Sequence, residues 1–282
     1  MKTIKLENRI TYFLLIFSLF LLNYHSINIF SIIFASIITI PTIKLFEKIN
    51  IYKYKLTRII LLIISCPLLS FYLNKVTYFI SDNILRDYSG LVIAFTLLLS
   101  IFILGNKGYH TIIKVIIINC YFIFFITLIG LFILIPYINI QNINLSILNN
   151  NNLFNSSVTY IFYLIYSYFL IYSTTNTKFK NKDLIISSSF NIFYILLINS
   201  VLSIITNYVK YPYIAIFKKV NLIGFIDRIE IIFSMNNLFI FYFLLLLIYY
   251  QIYYILKNKL KSKQLNITLS IISILVFLFS LI

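Results

Sequence analysis

The charged residues of this chain are almost entirely confined to short gaps between long apolar segments. Lys and Arg concentrate in every second gap, whereas most of the gaps between these hold few. This alternation is typical of a polytopic membrane protein with its basic loops in the cytoplasm. It predicts a multi-pass protein of the bacterial inner membrane with a cytoplasmic N-terminus, whose basic gaps are Lys2–Arg9, Lys44–Arg58, Lys107–Lys114, Lys178–Lys182 and Lys257–Lys263.

Composition supports a membrane location and argues against nucleic acid as a partner. The chain is 61% hydrophobic and only 11% charged, whereas soluble domains carry about 25% charged residues. The net charge of +16 is spread over the gaps and forms no single basic face of the kind that binds nucleic acid. The basic loops would instead lie against anionic lipid headgroups, so the lipid bilayer is the expected partner.

The lengths of the apolar segments predict an all-α bundle with about nine spans. A spanning helix needs roughly 20 apolar residues, with about 17 as the lower limit. We expect one transmembrane domain over 1–282, divided into a first five-helix repeat at 1–137, an outer polar linker at 138–157 and a second repeat at 158–282. The predicted spans are Arg9–Leu22, Ile27–Phe46, Thr57–Ile80, Ser89–Gly105, Ile112–Tyr137, Val158–Thr175, Leu184–Tyr208, Ile231–Leu256 and Leu265–Ile282.

The sequence carries no recognisable catalytic or cofactor motif. It has no phosphate-binding glycine loop, no paired His/Glu metal motif and no Ser/His/Asp constellation. Ionisable residues inside membrane spans usually mark sites of membrane chemistry, and the predicted spans contain almost none. We therefore predict that the protein is not an enzyme and needs neither a metal nor a cofactor.

One outer gap, Lys210–Glu230, departs from the charge pattern because it is rich in both basic and acidic residues. Pro212 can open a short helix along the outer membrane face, and Gly224 allows a turn before the next span. Asp227 and Glu230 are three residues apart and share a helix face. Arg228 is adjacent to Asp227 in sequence and could pair with a neighbouring helix. Two interpretations stay open: an interfacial ion-pair anchor, or a gate or partner-docking element.

The run Tyr-Pro…Gly-Phe-Ile-Asp-Arg-Ile-Glu in this gap resembles the spore germination permease family, the B subunits of germinant receptors. The matching residues are Pro212, Gly224, Phe225, Asp227, Arg228 and Glu230. A second match opens the fifth span, where Lys107-Gly108-Tyr109-His110 is followed by Lys114. Here Gly108 fits the family pattern. The acidic residue of that pattern is replaced in this chain, and Lys114 stands where the family has Arg.

The resemblance implies an amino acid–polyamine–organocation transporter fold, with two inverted five-helix repeats and a ligand site near the midplane. Partners would be an amino-acid-like small molecule and the other germinant receptor subunits, in the spore inner membrane. The family usually has ten spans, so the nine predicted here would lack the tenth helix. Ser18 is the polar candidate for ligand binding in the first span.

Further candidate binding residues lie in the second repeat. Tyr160, Tyr163 and Ser167 follow one another at helical spacing and would either line a cavity or pack against neighbouring helices. Asn236 and Asn237 should face the bundle, because amides are costly against lipid. Either a ligand or interhelical hydrogen bonds would explain the two asparagines.

Three functions compete at this point. The first is a transporter-like sensor of a small germinant such as an amino acid. The second is a small-solute permease, which would move its ligand across the membrane. The third is a membrane glycan polymerase or flippase, which would need basic or acidic residues in large outer loops. Lys210–Glu230 is the candidate loop for that chemistry.

Overall fold

The computed structural model describes residues 2–49, 54–143, 153–175, 180–220 and 229–281, and this part of the chain is an all-α bundle without strands. It contains ten α-helices, with short 3₁₀ turns between some of them. The helices are α1 Lys2–Leu22, α2 Ile29–Ile49, α3 Lys55–Asn83, α4 Gly90–Gly105, α5 Tyr109–Leu134, α6 Leu153–Thr175, α7 Asn181–Leu202, α8 Pro212–Lys218, α9 Ile229–Lys257 and α10 Ser262–Phe279.

Seven of these helices are long and apolar enough to cross a membrane, so the predicted count of nine is not reproduced. The seven are α2, α3, α5, α6, α7, α9 and α10. Helix α4 is apolar but only 16 residues long, and α1 carries Glu7 and Arg9 within its first half. The nine predicted apolar segments nevertheless all contain α-helix, which confirms the predicted fold class of an all-α membrane bundle.

Contacts between helix ends show that α1 and α7 begin at one end of the bundle and that α5 and α7 finish at the other. At one end of the bundle, Arg9 and Asp183 form an ion pair with 3.3 Å between Nε and Oδ1. At the other end, the Asn139 amide N–H donates to the Ser200 carbonyl over 3.2 Å. We name the two ends inner and outer after the charge-based prediction, so the loops after α1, α3, α5 and α7 are outer loops.

Helix α9 forms the centre of the bundle. In its most apolar 18-residue stretch 67% of the residues are buried, against 22% in the corresponding stretches of α5 and α10. It packs against α1, α3, α4, α5, α6, α8 and α10. The large exposed apolar surfaces of α5 and α10 are those expected of helices that face lipid.

Local chemistry explains where several helices begin. The Asn28 side chain accepts from the Ser31 amide over 2.7 Å and so caps α2. Gly108 has φ +95° at the N-cap of α5, a conformation that favours glycine. Pro212 occupies the first turn of α8, where its missing N–H costs nothing.

Two predicted boundaries are wrong. Helix α6 starts at Leu153, so the predicted linker at 138–157 is partly helical. Helix α7 ends at Leu202 because Ser203 adopts φ 54°, and the predicted continuation to Tyr208 is a 3₁₀ turn. Helix α8 exists as predicted, and most of its side chains are buried against α7 and α9.

Candidate ligand-binding site

The three predicted residues of α6 are all buried inside the bundle. The Tyr160 hydroxyl accepts from Asn191 Nδ2 over 2.9 Å, which joins α6 to α7. Tyr163, about one turn further along α6, is 5% exposed. Ser167 is fully buried and its hydroxyl has no partner among the described residues. These residues therefore pack between helices and do not line an open cavity.

Ser18 is also buried, and its hydroxyl donates to the Leu15 carbonyl of the same helix over 2.7 Å. This bond satisfies the hydroxyl within α1. Ser18 thus makes an intrahelical contact and is not presented to a ligand in this structure.

Asn236 and Asn237 face the bundle, as predicted, and are 1% and 4% exposed. They border a cavity of about 20 Å³ between α5, α7, α8 and α9, which is large enough for about one water molecule. The Asn236 Oδ1 atom has no partner within the described part of the chain. A bridging water would satisfy this oxygen, whereas an amino acid is too large for the space.

The residues of the family motif are only partly described. Gly224, Phe225, Asp227 and Arg228 lie outside the described residues, and so does the predicted Arg228 ion pair. Glu230 opens α9 and its backbone carbonyl accepts from Ser234 Oγ over 2.7 Å. Of the fifth-span match, Gly108 caps α5 and Lys114 is exposed on it.

A larger cavity opens at the outer end of the bundle, with a volume of about 290 Å³. Its walls come from the α1–α2 loop, the outer part of α3, and the segment that leads into α8. The lining residues are Leu21, Leu22, Asn23, Tyr24, His25, Ser26, Lys75, Tyr78, Lys210, Tyr211 and Tyr213. Two lysines and four tyrosines therefore meet in one outward-facing pocket.

Lys75 supplies a positive charge to this cavity from within the apolar helix α3. Its ammonium group donates to Asn23 Oδ1 over 2.6 Å and to the Leu22 carbonyl over 3.2 Å. The same nitrogen lies 4.6 Å from the centroid of the Phe71 ring. An ammonium group has three N–H donors, so one donor stays available to a ligand in the cavity.

The opposite wall carries an ion pair. Lys210 Nζ lies 2.6 Å from Asp82 Oδ2, and the Tyr211 hydroxyl donates to the same oxygen over 3.2 Å. Burial raises the pKa of Tyr211, and the neighbouring Asp82 charge raises it further. Tyr211 therefore stays protonated and keeps donating. Asp82 balances the charge of Lys210, whereas Lys75 forms no ion pair with any described residue.

Tyr213 contributes a buried hydroxyl to the wall of the cavity. Its side chain is 1% exposed and lines the cavity, yet its hydroxyl has no hydrogen-bond partner among the residues described. A buried hydroxyl without a partner costs free energy, and a ligand oxygen in the cavity would relieve this cost only if the Tyr213 side chain moved, because its hydroxyl is sealed from solvent here. Burial raises the pKa of Tyr213, and the group therefore acts as a neutral donor.

His25 connects the two loops that form the rim. Its Nε2 atom lies 3.0 Å from the Val209 carbonyl and 3.3 Å from the Lys210 carbonyl. Since carbonyl oxygens only accept, Nε2 must carry the proton. The α1–α2 loop and the segment before α8 are thereby held together across the mouth of the cavity.

The sequence contained a signal for this site that the predictions did not use. Lys75 interrupts an apolar segment of α3, and an ionisable residue within a span is by itself a functional hypothesis. The ring of tyrosines could not be recognised from sequence, because the chain has 24 tyrosines and the four in the cavity come from three separate segments.

No family model, no curated protein and no solved structure matches this chain.

Proposed function

We propose that this protein binds a small carboxylate-bearing solute, such as an amino acid, in the outer cavity and acts as a transporter-like sensor. The supporting observation is the free donor of Lys75 in an outward-opening pocket. A carboxylate would accept from this ammonium group, and such a bond is of the stronger, charge-assisted kind. The faces of the surrounding tyrosines would favour the ligand's own ammonium group.

The size of the cavity separates the competing functions. A volume of about 290 Å³ lies at the lower end of small-molecule sites, which span roughly 300–1,000 Å³. It suits an amino acid and is too small for a lipid-linked glycan. This favours the sensor over the glycan polymerase or flippase.

The resemblance in Lys210–Glu230 makes a spore germination receptor B subunit the first candidate for such a sensor. The cavity would then face the outside of the spore inner membrane, with the N-terminus in the cytoplasm. Other receptor subunits would pass the signal on. A strain without the protein should lose its germination response to at least one amino acid, and a wild-type response to all of them would exclude this role.

A permease is the second candidate, and a row of buried polar side chains favours it. Below the cavity, Ser65 Oγ donates to Gln251 Oε1 over 2.9 Å, and Gln251 Nε2 donates to Ser173 Oγ over 3.4 Å. This row continues toward the inner face between α3, α6 and α9. Uptake of a radiolabelled amino acid into proteoliposomes would identify a permease, whereas a sensor would bind without flux.

Binding itself can be tested on the purified protein in lipid nanodiscs by calorimetry with the twenty amino acids. For any amino acid that binds, Lys75→Met should weaken the affinity roughly 10- to 150-fold, which corresponds to one charge-assisted hydrogen bond of about 1.5–3 kcal/mol. Lys219→Met is the matched control, because that ammonium group also donates to an outer carbonyl, Val201, but does not line the cavity. Equal effects of both variants, or no binding at all, would refute the site.

A further inference from the structure

The packing of the helices has an internal two-fold correspondence. If α1, α2, α3 and α4 are matched with α6, α7, α9 and α10, each helix packs directly on its own counterpart. Two cross contacts are matched as well: α2 packs on α6 as α7 packs on α1, and α4 packs on α9 as α10 packs on α3. The packing of α1 on α9 has no equally extensive counterpart between α6 and α3. Such exchange is what an inverted repeat produces.

Helices α5 and α8 have no counterpart among the described helices, and α5 is the one of the two that is long enough to cross a membrane. Helix α5 packs on α9, α4, α1 and α8. The same correspondence would place an equivalent helix beside α3, α10 and α6. That position is taken by none of the ten helices that the structure describes.

An open groove lies between α3 and α10, two of these three helices, and has a volume of about 620 Å³. No described residue of α6 lines it. Apolar side chains such as Phe71, Leu275 and Phe279 form most of its walls. The groove is therefore a concave apolar surface. It borders α3 and α10, the helices that correspond to the α5 neighbours α9 and α4.

Two polar side chains point into the groove without partners. Ser70 is 6% exposed, and Asn74 follows one turn later on the same face of α3. Neither makes a hydrogen bond within the described structure. Asn74 lies roughly 14 Å from the outer end of α3 at Asn83, well inside the span. Pro67 also lines the groove and leaves the Ile63 carbonyl without its helical donor.

We infer that a transmembrane helix of a separate polypeptide docks in the α3–α10 groove. It is an apolar helix with a hydroxyl or amide side chain level with Ser70 and Asn74. Lipid acyl chains cannot fulfil this role, because they offer no hydrogen-bonding group and an unpartnered amide in hydrocarbon is costly. A two-fold dimer through this surface would bring two concave grooves face to face, so a second copy does not fit.

The inference can be tested by photocrosslinking in the organism's own membranes with the full chain. The probe is Leu275→p-benzoylphenylalanine, inside the groove. Its matched control is Ile274→p-benzoylphenylalanine, which is 60% exposed on the opposite side of α10. We expect Leu275 to crosslink to a membrane-spanning peptide of another polypeptide, identified by mass spectrometry, and Ile274 to crosslink mainly to lipid.

Two groove variants make the result specific. Ser70→Trp should fill the groove and abolish the Leu275 crosslink, whereas Ser270→Trp, on the opposite side of α10, should leave it unchanged. Asn74→Leu is a milder variant that keeps the shape of the groove and so remains informative if Ser70→Trp misfolds. It should lower the crosslink yield about three- to tenfold through loss of one interhelical hydrogen bond. Lipid adducts only, a peptide from a second copy of this chain, or equal adducts at both positions would overturn the inference.

Discussion

Replacing Gly130 with alanine tests whether α8 is buried as the structure shows. Gly130 lies on α5 where that helix meets α8 and α9. A Cβ atom there would lie 2.5 Å and 2.9 Å from two ring carbons of Phe233 and 3.1 Å from a ring carbon of Phe217. The two rings stack with 3.6 Å between their centroids, so neither can move away from α5 without disturbing the other.

The expected cost follows from two opposing effects. Inserting a methyl group into a well-packed core costs about 1–3 kcal/mol, and the buried stack of Phe217 and Phe233 favours the upper half of that range. Alanine in place of glycine within a helix returns about 1 kcal/mol. Gly130→Ala should therefore lower the free energy of unfolding by about 1–2 kcal/mol.

Reversible unfolding by SDS in mixed micelles provides the measurement. Gly90→Ala is the control, since a Cβ atom at that position meets its nearest neighbour, Thr77 Cγ2, at an ordinary 3.5 Å. The loss caused by Gly130→Ala should be largely recovered by adding Phe233→Leu, which frees the space. If Gly130→Ala were as stable as the wild type, or if Phe233→Leu worsened it, the buried placement of α8 would be incorrect.

Three further predictions concern other contacts. Gln251→Leu should lower the free energy of unfolding by about 1–2 kcal/mol, because it removes a partner of three buried hydroxyls, those of Ser65, Tyr166 and Ser173; SDS unfolding would measure the loss, and an unchanged midpoint would contradict it. Asp183→Asn should cost under about 1 kcal/mol, since its partner Arg9 is 40% exposed, and raising the salt concentration should shrink the difference. Arg228→Ala is expected from the sequence to reduce protein abundance or response by leaving Asp227 or Glu230 unpaired, and normal abundance and response would refute both the anchor and the family motif.

The membrane fold was predictable because it depends on patterns that run through the whole chain. The apolar segments and their basic gaps identified helices at all nine expected places. The details that failed depend on single residues. Ile204 to Tyr208 continue the apolar pattern of α7, and only the φ of 54° at Ser203 ends the helix. Nothing in the residue type requires that conformation, so the sequence could not reveal it.

The candidate site was less predictable because its contacts join distant segments. Pro212 correctly indicated the start of α8, but seven mostly apolar residues fit a buried helix and a membrane-surface helix equally well. The bond between His25 and the Val209 carbonyl crosses 184 residues. Tyr160 and Tyr163 were recognised as polar groups within a span, yet spacing alone cannot distinguish a packed tyrosine from a ligand contact.

Helix α3 connects the two proposed sites, which gives a physical basis for passing a signal between them. Phe71 lines the groove, and the Lys75 ammonium that faces the cavity lies 4.6 Å from its ring. A ligand that attracts Lys75 alters this contact, and a helix in the groove alters it from the other side. Thermodynamic linkage requires the coupling to be reciprocal, so a saturating amino acid should change the crosslink yield at Leu275. Phe71→Leu should abolish that change while the amino acid still binds, and a ligand effect that survives this substitution would exclude α3 as the route.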